Sequence, residues 1–259
     1  MKPAEGLDGS GTPHATCVLA PNPSPLTLDG TNSWILAEPG AQAVLVVDPG
    51  PDHEGHLQRI MDRVGERRVE AILLTHGHSD HSGGARRFAE LADAPVRALD
   101  PRHRHGGEGL ADGDVVAVGD FEVRVIGTPG HTFDSLCLWL PADASLLTGD
   151  TILGRGTTFI APEGNLTDYL VSLDLLRGVA QEVGALLPGH GPMLHEPVEV
   201  IEGYRRHRRE RLDQVREAVA QGATTPAEIV AVVYAEVDRA LWPAAEMSVQ
   251  AQLDYLDRL

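Results

Sequence analysis

Between Thr75 and His81 the chain reads Thr-His-Gly-His-Ser-Asp-His, directly after the apolar run Ala71 to Leu74. His76, His78, Asp80 and His81 put three imidazoles and a carboxylate within six residues. Imidazole nitrogen suits zinc and a carboxylate oxygen adds negative charge. A loop leaving a strand end lets side chains converge that a continuing strand would point to opposite faces. Three more candidates recur in the same structural position. His131 follows Gly127-Thr128-Pro129-Gly130 after the run Phe121 to Ile126, Asp150 follows Gly149 after Ser145 to Thr148, and His190 follows Pro188-Gly189 after Ala185 to Leu187. Pro-Gly turns reverse the backbone before His131 and His190, and small residues beside Asp150 let a metal approach. Set against unrelated core or surface residues, the recurrence at four strand ends favours one metal site.

The elements that must position these side chains alternate short apolar runs with amphipathic or turn-rich segments, the pattern of an α/β layer fold. Strands are predicted over Ser33 to Ala37, Ala43 to Asp48, Ala71 to Thr75, Phe121 to Ile126, Leu136 to Leu140 and Ser145 to Thr148. Helices are predicted over His53 to Val64, Gly84 to Leu91 and Thr167 to Arg177. Beyond about Glu196 glycine becomes rare and three helices follow. They run over Val198 to Gln221, from Thr225 with Pro226 at its first position, and over Ala245 to Leu259. The expected organisation is a flexible lead over 1–15, a catalytic domain over 16–197 and a helical domain over 198–259.

Composition bounds the rest. At 259 residues and 42% hydrophobic content the chain can fill one sizeable core and a satellite. Its apolar runs are far shorter than the roughly 20 residues of a membrane span, and Met1 to Ala15 lacks the features of a secretory signal, so a cytoplasmic protein without membrane contact is expected. Cys17 and Cys137 are read as buried thiols rather than a redox or metal pair. With 38 acidic against 21 basic residues the formal charge is -17, which disfavours general nucleic-acid binding.

On these residues the chain resembles the metallo-β-lactamase superfamily, whose His-x-His-x-Asp-His motif matches His76 to His81, with later ligands at His131, Asp150 and His190. The resemblance implies an αββα sandwich with a small all-helical, winged-helix-like C-terminal domain. It is most similar to the branch of β-lactamase-like protein 2, through Thr75 to Gly84, Thr128 to Thr132, Thr148 to Asp150, Pro188 to Gly191 and Pro243 to Glu246. It implies two zinc ions, one on His76, His78 and His131 and one on Asp80, His81 and His190, with Asp150 between them; manganese or iron are alternatives. The chain stops at Leu259 before a strand-turn-strand wing could form, a departure from the family pattern.

Two divalent ions about 3.5 to 4 Å apart can share a water, lower its pKa and present hydroxide to an electrophile, which makes the chain a hydrolase. Asp80 is expected to orient that nucleophile or take its proton, and Asp150 to hold the metal spacing, so these two are the catalytic candidates. The resemblance brings two substrate readings: single-stranded RNA cleaved as an endoribonuclease, preferred, or a thioester hydrolysed by a thioesterase or glyoxalase II-like enzyme on a small-molecule or acyl-carrier substrate. For RNA, Arg205-Arg206-His207-Arg208-Arg209 with Arg211 supplies local positive charge, set against a solvated helix face balanced by Glu202, Glu210 and Asp213. Against RNA, aromatic residues make up only 4% of the chain, leaving few platforms for unpaired bases. Arg102 to His105 and Arg155 are candidates to line the cleft, with surface placement preferred for each, and Phe159 to Leu166 is read as a segment shaping the entrance. A binding protein with a vestigial hydrolase body is the reading from another class, and a homodimer contact the alternative use of the helical domain.

Overall fold

The computed structural model describes residues 7–258. Two sheets stack face to face. The first runs in the order β1 (Ala15–Leu19), β2 (Asn32–Leu36), β3 (Ala43–Val47), β4 (Arg68–Leu73), β5 (Val96–Arg97). The second, in spatial order, holds β11 (Leu194–His195), β10 (Ala185–Pro188), β9 (Ser145–Gly149), β8 (Leu136–Leu140), β7 (Phe121–Gly127) and β6 (Val115–Val118). In the first sheet β3, β4 and β5 run parallel, with β2 antiparallel to β3; in the second the parallel pair β9 and β10 is flanked by antiparallel neighbours.

Strand periodicity explains the layers. In β3, Leu45 and Val47 face the second sheet while Val44 and Val46 face outward; in β8, Leu136 and Leu138 face inward and Cys137 outward. The outward face of the first sheet is covered by α1 (Glu54–Val64) and α3 (Ala85–Ala92), through Leu57, Ile60 and Phe88. The outward face of the second is covered by α4 (Leu166–Val179) and the N-terminal half of α5 (Pro197–Ala220), through Leu173, Leu176 and Ile201. The result is the expected αββα sandwich.

The distal half of α5 packs through Val215 and Ala218 against α6 (Pro226–Val233) and α7 (Trp242–Leu256) around Ile229, Val230 and Val249. Thr225 caps α6 in a capping box with Glu228. α5 thus belongs to both cores, and the expected boundary at 197/198 falls at its first turn. The last helix starts three residues before its expected position because Pro243 fits the first turn of a helix.

Two expectations need correction. The lead over 1–15 is not a separate tail over its described part: Leu7 is buried, Gly9 N–H donates to Cys17 O, and His14 Nδ1 lies 2.5 Å from Asp143 Oδ1. Residues 1–6 lie outside the described part of the chain. Nor is the histidine cluster wholly a loop, because Ser79–Ser82 forms one helical turn, α2, closed by Ser82 N–H to His78 O. That turn brings Asp80 and His81 to His190 while His81 stays beside His76, their ring centroids 4.3 Å apart, so one short segment can serve two neighbouring positions.

Candidate metal centre

Four strand ends deliver the candidate ligands to one edge of the sandwich. β4 leads into His76, His78 and α2, β7 into His131, β9 into Asp150 and β10 into His190. His76 Nε2 and His131 Nε2 each lie 3.1 Å from His78 Nδ1. A second group forms where His81 Nε2 lies 3.1 Å from His190 Nε2, with Asp80 Oδ2 3.2 Å from the latter. Asp150 stands between the groups, its Oδ1 3.4 Å from His81 Nε2 and its Oδ2 3.4 Å from His190 Nε2 and 3.8 Å from His131 Nε2. All seven sequence-predicted residues therefore meet with metal-ligand spacing: His76, His78 and His131 form one group, Asp80, His81 and His190 another, and Asp150 with His76 and His81 joins the two.

Each histidine is turned by a partner on its other nitrogen. His131 Nδ1 is 2.8 Å from Phe159 O, His190 Nδ1 3.1 Å from Gly30 O, and His78 Nε2 2.8 Å from Glu163 Oε1. Asp48, at the end of β3, serves two ligands at once. Its Oδ2 accepts from His81 Nδ1 at 2.8 Å and from Thr75 Oγ1 at 2.6 Å, and Thr75 Oγ1 in turn lies 3.1 Å from His76 Nδ1. With protons held on the outer nitrogens, the inner ones turn lone pairs toward one another. A cation answers that arrangement, and so does the buried Asp150 Oδ1, which has no hydrogen-bond partner. The donor set thus fits divalent metal.

The electrostatics agree. Burial keeps His131 down at about 4, and burial with the charge of His81 holds His76 well below the usual imidazole range. Burial also opposes charge on His81 and His190, but the Asp150 carboxylate outweighs it, raising His81 well above its ordinary value and His190 to about 9. For Asp150 burial is likewise overcome, by His190 and His81, which hold its carboxyl well below the usual range. Protons on His81 and His190 and a divalent cation are competing answers to the same concentration of negative charge.

Residues 26–190 match the family described as the metallo-beta-lactamase superfamily, and residues 225–258 match the beta-lactamase associated winged helix domain. The chain belongs to the metallo-beta-lactamase superfamily. It is similar to the beta-lactamase-like protein 2 homolog of Caenorhabditis elegans, 32% identical over 266 residues that span 99% of this chain and 87% of that protein. It is also similar to the atrochrysone carboxyl ACP thioesterase of Aspergillus fumigatus, 32% identical over 86% of this chain and 74% of that protein. A beta-lactamase domain protein from Burkholderia ambifaria superposes with a TM-score of 0.82 at 26% identity, covering 98% of this chain and 90% of that one. Members of the metallo-beta-lactamase superfamily bind divalent metals and are metal-dependent hydrolases, and this chain is one of them. No helix among the described residues is long and apolar enough to cross a membrane.

Sequence reasoning found the candidate ligands and missed their supports. Asp48, in an Asp-Pro-Gly-Pro stretch, reads as a turn former, and Glu163 as one acid among many. The anticipated entrance segment does reach the centre: Phe159 stacks over His78 and meets His131 edge-on, with ring centroids 6.3 Å and 5.1 Å away. Arg102 pairs with Asp100 and Arg155 with Asp29; both side chains are exposed, and each lines a hollow beside the centre.

Gly130 shows how tightly His131 is placed. Its φ is 142°, and a Cβ there would lie 2.3 Å from Tyr169 Cα on α4. Gly130→Ala should therefore cost roughly 1–3 kcal/mol in overpacking, with backbone strain added. Gly119→Ala, at φ 63° in open space, should carry only a strain penalty of about 1 kcal/mol. Urea unfolding of both variants checks the difference; equal losses would mean that α4 does not fix the His131 turn.

Proposed function

We propose that the protein is a zinc-dependent thioester hydrolase acting on a small-molecule or carrier-bound acyl group in the cytoplasm, where its two unbridged, buried thiols are at home. The observation that carries this reading is a cavity of about 280 Å³ between the sandwich and the helical domain, which begins at Asp150 and runs along Leu28, Leu153, Phe159, Leu241 and Ala244. An apolar pocket leading to a hydrolytic centre suits an acyl chain. A polar hollow of about 220 Å³ on the other flank, walled by His78, His103, Asp134 and Glu163, suits the leaving thiol's more polar attachment.

The basic run offered for RNA is largely spent on packing. Arg205 pairs with Glu202 and Asp174, Arg211 donates to Val233 O and Gln214, and Arg208 is buried. That leaves Arg206 and Arg209 exposed on a chain of net charge -17, a poor polyanion track.

His76, His78 and His131 would hold one metal ion and Asp80, His81 and His190 the other, with Asp150 shared; five imidazoles among seven ligands favour zinc. When bound, the ions supply a lowered water pKa and a positive charge for the substrate oxygen. Asp80 is a group of the chain that faces both the centre and solvent, its side chain 28% exposed. Burial pushes its carboxyl up, but His81 and His190 hold it at about 2, so it is ionised and orients the attacking water by accepting its hydrogen bond. The water oxygen adds to the acyl carbon, the carbon–sulfur bond breaks, and the water's proton leaves with the thiol.

Metal-loaded wild type and Asp80→Ala should be given an acyl thioester and a labelled single-stranded RNA in parallel. Thioester hydrolysis that falls about 10²- to 10⁴-fold in the variant, with the RNA intact, is the expected result. Asp80-dependent RNA cleavage without thioester hydrolysis would reject it in favour of the endoribonuclease reading.

A further inference from the structure

Arg208 lies midway along α5, yet it behaves as a core residue: it is 3% exposed, while Arg206 and Arg209 on the same helix are in solvent. One terminal nitrogen donates to Thr158 O at 2.5 Å, and the guanidinium lies over the Tyr169 ring at 4.8 Å from its centroid. Its Nε is buried without a hydrogen-bond partner, and among the described residues Arg208 forms no ion pair. A carbonyl and an aromatic face offset only part of the cost of burying a guanidinium.

The unmatched charge lines the apolar cavity that starts at Asp150. The other arginines of that wall are already answered: Arg155 pairs with Asp29, while Arg211 donates to Val233 O and Gln214 and lies 4.5 Å over the Tyr234 ring. We infer that Arg208 reads an anionic group on the substrate, so that the preferred acyl group is apolar along its body and carries a carboxylate that enters the cavity beside Tyr169. A guanidinium offers parallel N–H groups that match the two oxygens of a carboxylate.

This inference rests on the thioesterase reading only for the substrate's reactive bond, so binding is the readout that separates the two. Thioether analogues, which cannot be hydrolysed, are titrated calorimetrically into the metal-loaded protein as matched pairs, an acyl chain ending in a carboxylate and the same chain ending in a methyl group, over a short series of lengths. Wild type should bind the best carboxylate member about 10- to 100-fold more tightly than its methyl partner. Arg208→Met should erase that preference while leaving the methyl analogue's affinity nearly unchanged, and Arg208→Lys, which keeps the charge but loses the fork, should retain a fraction of it.

Equal affinities for the pair in wild type would overturn the inference without recourse to any variant. So would a preference that survives in Arg208→Met, since the carboxylate would then be held by the metals, and so would a loss of both affinities together, which would make Arg208 a support for the Thr158 segment. Failure of thioester hydrolysis itself would be seen in the RNA and thioester assay and would leave this binding comparison intact.

Discussion

Asp150→Asn is expected to lower kcat/KM at least about 10³-fold and to reduce bound metal below two ions per chain. The change keeps the side chain's volume and removes one acceptor oxygen and one negative charge. Both oxygens face candidate ligands: Oδ1 lies 3.4 Å from His81 Nε2, and Oδ2 lies 3.4 Å from His190 Nε2 and 3.8 Å from His131 Nε2. An amide NH₂ placed at either position points a donor at the space where a cation would lie, and no rotation of the amide escapes this. The effect should exceed that of Asp80→Ala, because Asp80 contacts only the second cluster whereas Asp150 lies within reach of both. Metal content by elemental analysis, read beside the hydrolysis rate, separates loss of metal from loss of chemistry. A variant with two ions and near-normal turnover would remove Asp150 from its place between the clusters.

The candidate ligands were legible because His76, His131, Asp150 and His190 are each the first metal-binding residue after an apolar strand, His78, Asp80 and His81 follow closely on the first of them, and strand ends in a layered fold gather at one edge. The α/β layering was legible in the same runs, since strand periodicity also decides which residues fill the interior, whereas the αββα sandwich came only with the family resemblance. What escaped was whatever acts across long separations without a local signature. Asp48 meets Thr75 across 27 positions, and Glu163 meets His78 across 85. Arg208 is a different case, because a signal existed. Ile201, Tyr204, Arg208, Leu212 and Val215 recur at spacings of three and four, the buried stripe of a helix, so the arginine lies where a core residue is due. Reading Arg205 to Arg211 as one solvated charge run hid that periodicity. The helical turn at Ser79–Ser82 was missed because four residues carry too little pattern to mark a helix.

Asp48→Asn should show how far this centre depends on a residue that is not itself among the ligands. The native carboxylate accepts three hydrogen bonds: Thr75 N–H at 2.8 Å on Oδ1, and Thr75 Oγ1 at 2.6 Å and His81 Nδ1 at 2.8 Å on Oδ2. An asparagine can keep the first with its oxygen, but its NH₂ then confronts two donors. Thr75 must turn its hydroxyl, which disturbs His76, and His81 must either flip its tautomer or rotate. In the first case the proton moves to Nε2, the nitrogen that faces the second cluster, and metal binding must displace it. Affinity for the weaker-bound ion should fall about 10- to 100-fold. The metal-free variant should also lose about 1–3 kcal/mol of stability, because these are buried polar groups with no water to replace the lost acceptor. Backbone strain does not confuse the comparison: Asp48 has φ 49°, a conformation that asparagine tolerates as well as aspartate does. Chelator-competition titration measures the affinity and urea unfolding of the metal-free protein the stability. Wild-type affinity in the variant would mean that His81 is held in place by the protein around its ring rather than by the Asp48 carboxylate, and the same test on His190, whose partner is the Gly30 carbonyl, could not be made by changing a side chain at all.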